Sequence, residues 1–274
     1  MPATQMSNPY LDLTRAFNRN RLRALVSSGQ AVVLHRLAIM SKDGDWILRE
    51  DAETLQHVLA VLAQRGARYR FGAPLDVRWL AGGWSAHLEH PHAGLRLRTD
   101  FVTRPPRISS AELTRMWHDA VTSGHEVVDL EPLAAMKMTQ REKDYAVIGE
   151  LARRMRDVRS QLRYSRSSRD LIHLAEVHPD LFTSVIPARP LLAVVAQGRD
   201  ALDDALDRER RTLMRADEAR LARYRVAAAA WASRWPDVSR QIAGLDLHAA
   251  HAIVTAHAEG VLPLVPADDG GTGD

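Results

Sequence analysis

Met40-Ser41-Lys42-Asp43-Gly44-Asp45-Trp46-Ile47-Leu48 is the stretch on which the fold turns. Its second half is aromatic, branched and apolar, so it reads as a strand. Asp43 and Asp45 stand two residues apart, and on a strand both carboxylates leave from one face. A second strand reads from Leu95-Arg96-Leu97-Arg98-Thr99-Asp100-Phe101-Val102. There Leu95, Leu97 and Phe101 face a core, while Arg96, Arg98 and Asp100 share the other face. A third carboxylate from a neighbouring strand completes an oxygen cage for hard divalent cations. Two plainer readings stand beside this one. Asp43-Gly44 is also a turn signal, and Asp100 alone is also a solvated strand charge. A calcium loop does not fit, because Ile47 and Leu48 stand where it needs an oxygen ligand or glycine.

Residues 1–15 read as a loose lead-in, and residues 16–30 as a helical pattern ending at Ser27-Ser28-Gly29. Ala31 to Leu37 starts a helix after that glycine turn, and residues 38–49 form the Asp-Gly-Asp strand. Glu53 to Arg65 is an amphipathic helix, with Leu55, Val58, Leu59 and Leu62 at helical spacing and Gly66 as its stop. Arg68–Phe71, Leu75–Leu80, Trp84–Glu89 and Leu95–Val102 read as a strand meander, broken by Gly-Ala-Pro, Gly82-Gly83 and His-Pro-His. Pro105-Pro106 ends the sheet, Ala111–Ser123 is a helix, and Val127–Leu130 is one last strand. Residues 132–177 and 198–234 are rich in Ala, Leu, Arg and Glu at helical spacing. The expected class is α/β (α+β): a mixed sheet with flanking helices, then an α-helical C-terminal domain. A boundary near 160, where Tyr164-Ser-Arg-Ser-Ser-Arg169 breaks the pattern, gives domains 1–160 and 161–267. The Gly/Asp-rich tail 268–274 is expected to be disordered.

The 274 residues suffice for a sizeable core, and 46% hydrophobic with 26% charged residues is ordinary for a globular chain. No run of about 18 uncharged apolar residues is present, so no membrane span is expected. The stretch MPATQMSNPYLDLTRAF lacks a signal peptide's apolar core. The absence of cysteine excludes disulfides, thiolate metal sites and a cysteine nucleophile, and fits a cytoplasmic location. The formal net charge is +3. Of 37 lysines and arginines only Lys42, Lys137 and Lys143 are lysine, all inside the segments singled out here on other grounds. An ammonium is a compact point charge that binds phosphate differently from a guanidinium.

The order is a glycine turn, a helix, an Asp-x-Asp strand, a helix, a meander with a third Asp, and then a helix with a basic cluster. Over roughly residues 20–155 it resembles the minimal nucleotidyltransferase superfamily. The likeness is greatest to its stand-alone members, the toxins of type IV toxin–antitoxin and abortive-infection systems. Ser27-Ser28-Gly29-Gln30-Ala31 matches the family's phosphate-binding turn, where backbone N–H groups and the helix dipole favour anions. Ser41-Lys42-Asp43-Gly44-Asp45 matches its Thr/Ser-x-Asp-x-Asp strand, and Asp100 its third carboxylate. Lys137-Met-Thr-Gln-Arg141-Glu-Lys143-Asp144 matches its later basic helix, with Lys137 and Arg141 four apart on one helix face. The chain departs from the pattern at Ser28, where a glycine is usual, at Gly44, where an apolar residue is usual, and at Ile39, often arginine.

The resemblance implies an enzyme that moves a nucleoside monophosphate from an NTP onto an acceptor hydroxyl and releases pyrophosphate. Two Mg2+ ions on Asp43, Asp45 and Asp100 would stabilise the attacking and leaving oxygens. Asp100 would take the acceptor proton. Ser28, Gly29, Ser41, Lys42, Lys137, Arg141 and Lys143 would bind the nucleotide. The implied acceptor is an RNA 3′ end, tRNA above all, or a protein side chain, and a cognate antitoxin is an implied partner. A small-molecule nucleotidyltransferase of the antibiotic-modifying kind, and a non-catalytic RNA- or protein-binding module on the same fold, remain open.

Four further signals divide the same way. His87-x-x-His90-x-His92 has zinc-like spacing but no partner carboxylate besides Glu89. His35 either touches the ligand or packs behind the turn. Arg153, Arg154, Arg156, Arg159, Arg163, Arg166 and Arg169 form either an RNA-binding surface or a solvated helical face. Trp79, Trp84, Trp231 and Trp235 read as core.

Overall fold

A computed structural model describes residues 8–266 of the chain. Five strands form one mixed sheet: β1 (Ala24–Ser27), β2 (Asp43–Leu48), β3 (Arg68–Tyr69), β4 (Ala86–His92) and β5 (Leu95–Val102), in the order β1-β2-β5-β4-β3. β2 and β5 run parallel, and the other neighbours are antiparallel. The helices are α1 (Pro9–Phe17), α2 (Ser28–Leu34), α3 (Ala52–Ala63), α4 (Val77–Leu80), α5 (Ser110–Ser123), α6 (Leu130–Met136), α7 (Glu142–Arg154), α8 (Val158–Tyr164), α9 (Ser168–Val177), α10 (Pro179–Val185), α11 (Arg199–Ala227), α12 (Ala229–Gln241) and α13 (Leu247–Ala258). The α/β class, the mixed sheet and the helical C-terminal region agree with the sequence.

Two compact units are present. The first holds the described residues up to Val128 and those from Arg223 onward, and the second spans Asp129–Ala222. The expected boundary near 160 falls within α8 of the second unit. The tail 268–274 lies outside the described residues.

In the first unit one face of the sheet carries an aromatic core. Trp46 stacks on Phe101 with ring centroids 5.5 Å apart, and Phe17 of α1 meets both rings edge-on. The indole N–H of Trp46 donates to Thr14 Oγ1 (2.9 Å), whose hydroxyl donates to the Tyr10 carbonyl (2.7 Å). A single buried indole is thus satisfied by the helix that covers it. α3 adds Leu55, Val58, Leu59 and Leu62 to the same core, as its sequence spacing requires. Asp51 caps its start by accepting from Thr54 N (2.8 Å), and Gly66 follows it in the left-handed region (φ 66°). Trp79, Trp84 and Trp231 are buried, as expected of core residues.

Several local expectations give way. α1 begins within the expected lead-in 1–15, started by Asn8, whose side chain accepts from Tyr10 N, and by Pro9 at the first helical position. The helical pattern over 16–30 breaks after Phe17, and Ala24–Ser27 form β1 instead. All four β1 residues are buried, so no alternation marks the strand. Val77–Leu80 is a helical turn capped by Asp76, not a strand. His90-Pro91-His92 continues β4 instead of breaking it. β3 reaches only as far as Glu89, so among the described residues β4 has no strand neighbour beside Pro91 on that side. Val127 makes one parallel bridge to Val26, but Leu130 already belongs to α6.

The second unit packs Leu162, Leu171, Val185, Leu192, Leu202 and Leu206 around a buried ionic cluster. Arg189 is 4% exposed and donates to both Glu209 oxygens (3.0 and 2.8 Å) and to the Leu162 and Ser165 carbonyls. Arg166 also pairs with Glu209. Burial raises the Glu209 carboxyl, but hydrogen bonding and charge from Arg189, then charge from Arg166, outweigh it and leave it below its usual 4.5. A lowered carboxyl stabilises the fold fully above its unfolded value, and that stabilisation is lost as pH falls through the folded value. Glu209→Gln should therefore cost about 3 kcal/mol at pH 7, because two guanidinium groups lose their counter-charge. It should also flatten the loss of stability below pH 4.5. Urea unfolding of both proteins at pH 7 and below pH 4 measures this.

Candidate active site

The parallel ladder places Asp45 opposite Asp100, and Asp43 opposite Arg98. β1 adds Ser27 opposite Asp45, and β4 adds His87 opposite Asp100. A row Ser27, Asp45, Asp100, His87 thus crosses four strands on the face opposite Trp46 and Phe101. Asp43 lies one pleat away on the same face. Its Oδ1 is buried without a hydrogen-bond partner, an arrangement that costs free energy unless a ligand answers it.

Asp100 is partnered. The Nδ1–H of His87 donates to its Oδ1 (2.7 Å), and Arg70 Nη1 stands 3.5 Å from the same oxygen. On the far side of the ring, Nε2 of His87 lies 2.9 Å from Ser85 Oγ. Asp43, Asp45 and Asp100, expected to form a three-carboxylate cage, come from two paired strands. The residues share a face and a register. Among the described residues, however, no three His, Asp or Glu side chains converge as a metal cluster. Asp100 is engaged by His87 and Arg70 instead.

The turn residues pack against the start of β2. Ser28 takes a left-handed conformation (φ 49°) that favours glycine. A Cβ on Gly29 would sit 2.4 Å from Ser41 Oγ, so only glycine lets Ser41 pack there. Ser41 Oγ in turn donates to the Asp43 carbonyl (3.1 Å), and Gln30 Nε2 donates to the Ser41 carbonyl (3.1 Å). Ser28, Gly29 and Ser41 thus belong to one structural unit with the start of β2. Lys42 is exposed, and its carbonyl accepts from the Tyr10 hydroxyl (2.9 Å). Burial, then the charges of Asp43 and Asp45, push the Tyr10 phenol above its usual value. α1 therefore lies within electrostatic reach of the site.

Lys137, Arg141 and Lys143 belong to the second unit. Lys137 and Arg141 do not share a helix face as expected. Lys137 caps the end of α6, Arg141 caps the start of α7, and the turn between them breaks the helix. The two charges instead converge on buried Asp144. Lys137 Nζ lies 3.5 Å from Oδ1, Arg141 Nη2 lies 2.8 Å from Oδ2, and Thr139 Oγ1 donates to Oδ2 (2.6 Å). Lys143 is exposed.

The three histidines do not form a zinc site. His87 faces Asp100, whereas His90 is buried and, like His92, sits at the opposite parity of β4. His35 packs behind the turn, with Nε2 2.8 Å from the Val128 carbonyl. Ser85 and Arg70 are site residues that the sequence did not suggest, and His87 was singled out only for its zinc-like spacing and not as a partner of Asp100. A signal for His87 existed. Ala93-Gly94 is a two-residue hairpin loop with both φ angles positive (48° and 78°). Counting six residues outward from it in each direction reaches His87 and Asp100.

The comparisons with known proteins are sparse. No model of a known protein family matches the sequence. The chain is similar to the multifunctional CCA protein of Ectopseudomonas mendocina (strain ymp), with 28% identity over 195 residues, 63% of this chain and 45% of that protein. It thus spans less than half the length of that relative. Among solved structures, a candidate nucleotidyltransferase of H. pylori aligns at 12% identity and a TM-score of 0.36, covering 79% of this chain and 98% of that one. The Helicobacter pylori protein JHP933 aligns at 12% identity and a TM-score of 0.34, covering 80% and 97%. Likeness this loose assigns nothing to this chain.

Gly44 carries a direct test of the strand's placement. A Cβ there would come within 2.4 Å of the Trp46 ring and 2.5 Å of the Tyr10 ring. Gly44→Ala should therefore destabilise the fold by about 1–3 kcal/mol through overpacking. Thermal unfolding of the two proteins measures it.

Proposed function

We propose that the chain is a nucleotidyltransferase that moves a nucleoside monophosphate from an NTP to an acceptor hydroxyl. The observation that carries this is the register of β2 against β5. It puts Asp45 opposite Asp100 with Asp43 beside them, at the point where the Ser28-Gly29 turn and Ser41 meet the same strand. The similarity to a CCA protein supports it.

The donor set suits a hard divalent cation, because it is all carboxylate oxygen and includes the unanswered buried Oδ1 of Asp43. Asp43, Asp45 and the Oδ2 of Asp100 would hold Mg2+, with two ions as the motif implies. Bound there, magnesium supplies charge for the triphosphate and for the oxygens of an in-line displacement. The acceptor hydroxyl oxygen attacks the α-phosphorus, the bond from that phosphorus to the pyrophosphate oxygen breaks, and pyrophosphate leaves. Asp100 takes the proton of the attacking hydroxyl. Backbone N–H groups of Ser28 and Gly29, with the exposed ammonium of Lys42, bind the phosphates. The resemblance also assigns Lys137, Arg141 and Lys143, which belong to the second unit, to the nucleotide. For the first two of these, Asp144 is a competing partner.

The acceptor we favour is RNA, a tRNA 3′ end first. Residues 153–169 hold seven arginines against one acidic residue, Asp157, in a chain of net charge +3. Arg153, Arg163 and Arg166 are spent on Asp170, Glu131 and Glu209. Arg154, Arg156 and Arg169 are exposed and make no ion pair among the described residues. Exposed, uncommitted guanidinium groups suit a phosphate backbone. The motif resemblance implies a toxin or phage-defence setting and a cognate antitoxin, and the absence of cysteine fits a cytoplasmic location. No helix among the described residues is long and apolar enough to cross a membrane.

The test is incubation of the purified chain with each radiolabelled NTP, Mg2+ and total tRNA. The expected result is label on tRNA that falls more than about 100-fold in Asp45→Ala, beyond the usual cost of losing an outer partner of a metal ligand. Replacing Arg154, Arg156 and Arg169 with Ala should make the log–log salt dependence of tRNA binding shallower by about 2–3. Label on protein in place of RNA would move the acceptor. No transfer with any NTP from a folded chain would favour a non-catalytic binding module.

A further inference from the structure

We propose that Ser85 and His87 form a relay that positions Asp100 for divalent-cation binding. The argument begins with hydrogen-bond bookkeeping. An ionised carboxylate only accepts, so the 2.7 Å contact to Asp100 Oδ1 requires the proton on Nδ1 of His87. In the neutral ring Nε2 then accepts, and the Ser85 hydroxyl, 2.9 Å away, is the donor that fills it. Ser85 thus selects the tautomer that His87 needs in order to hold Asp100.

The surroundings leave the ring little freedom. The Arg70 N–H donates to the His87 carbonyl (2.8 Å), and the Ala73 N–H donates to the Ser85 carbonyl (3.0 Å). The backbone is therefore pinned on both sides of the ring's attachment. Gly72 walls the ring closely, since a Cβ there would stand 2.6 Å from His87 Cδ2. Both contacts to Asp100 use Oδ1. Its Oδ2 has no protein partner among the described residues, and the side chain is 25% exposed. One oxygen is anchored and the other is left for a ligand. Ligating carboxylates are commonly fixed in this way by an outer hydrogen bond. The cross-strand row argues against a bond that merely tidies a sheet surface. His87 addresses the one carboxylate that stands directly opposite Asp45.

The kinetic part of this inference rests on the proposed nucleotidyl transfer, and the binding part does not. The test compares the full chain with His87→Asn, His87→Gln and Ser85→Ala. The amide nitrogen of Asn falls where Nδ1 stands, whereas that of Gln falls where Nε2 stands. Asn restores the donor to Asp100 and Gln does not. Mn2+ binding by calorimetry, without nucleotide, is the first readout. His87→Gln should weaken it by about 10–100-fold, His87→Asn should recover to within about threefold, and Ser85→Ala should lie between them. The Mg2+ concentration giving half-maximal transfer should move in the same order, with thermal unfolding unchanged. Equal Mn2+ affinity in wild type and His87→Gln would overturn the relay, as would equal losses in Asn and Gln. Should His87→Gln fail to fold, Ser85→Ala decides, and an unaltered Mn2+ affinity in it overturns the proposal. A wild-type chain that binds Mn2+ in a His87-dependent way yet transfers no nucleotide would keep the relay and refute the enzymatic reading.

Discussion

The parallel ladder between β2 and β5 pairs Trp46 with Phe101 and, one residue earlier, Asp45 with Asp100. One register thus serves two kinds of chemistry on opposite faces. On the buried face the stacked rings, with Phe17 edge-on to both, close the core of the first unit. On the open face the same alignment sets the carboxylates side by side. The side-chain period of a strand is two, so a slip of one residue would bury the acids and expose the aromatics. That alternative is heavily penalised, and the core therefore enforces the geometry of the site. Gly44 belongs to the same constraint, because the rings of Tyr10 and Trp46 take the room its side chain would need.

The strands that alternate were legible in the sequence. β5 carries polar and apolar residues in turn, β2 joins its Asp pair to the apolar run Trp46-Ile47-Leu48, and α3 shows helical spacing ahead of a glycine stop. β1 was hidden because it is buried throughout and so carries no period. α1 was hidden because its capping signal is only the short pair Asn8-Pro9. The continuation of β4 through Pro91 depends on the length of β3, which no local pattern of β4 reveals. Spacing also failed for Lys137 and Arg141. Four residues suggest one helix face, yet the chain turns between them and both side chains meet at Asp144.

For the site, residue type was legible and partnership was not. The three aspartates were picked out by pattern. That Asp43 would present a buried oxygen without a partner, while Asp100 is held by His87, is a property of the assembled sheet. The same distinction applies to the arginines of residues 153–169. In the sequence they are alike, but in the fold some neutralise Asp170, Glu131 and Glu209 while others remain exposed. Only the second kind is available to a polyanion.

Cleavage mapping with Fe2+ in place of Mg2+ tests the central claim most directly. Iron bound at the carboxylate row, given ascorbate and peroxide, generates radicals that cut the nearest backbone. The account predicts cuts on β2 around Asp43–Asp45 and on β5 around Thr99–Phe101, suppressed by excess Mg2+ and absent in Asp43→Ala. Cuts confined to other segments, or cuts at these positions that persist without the Asp43 carboxylate, would contradict it.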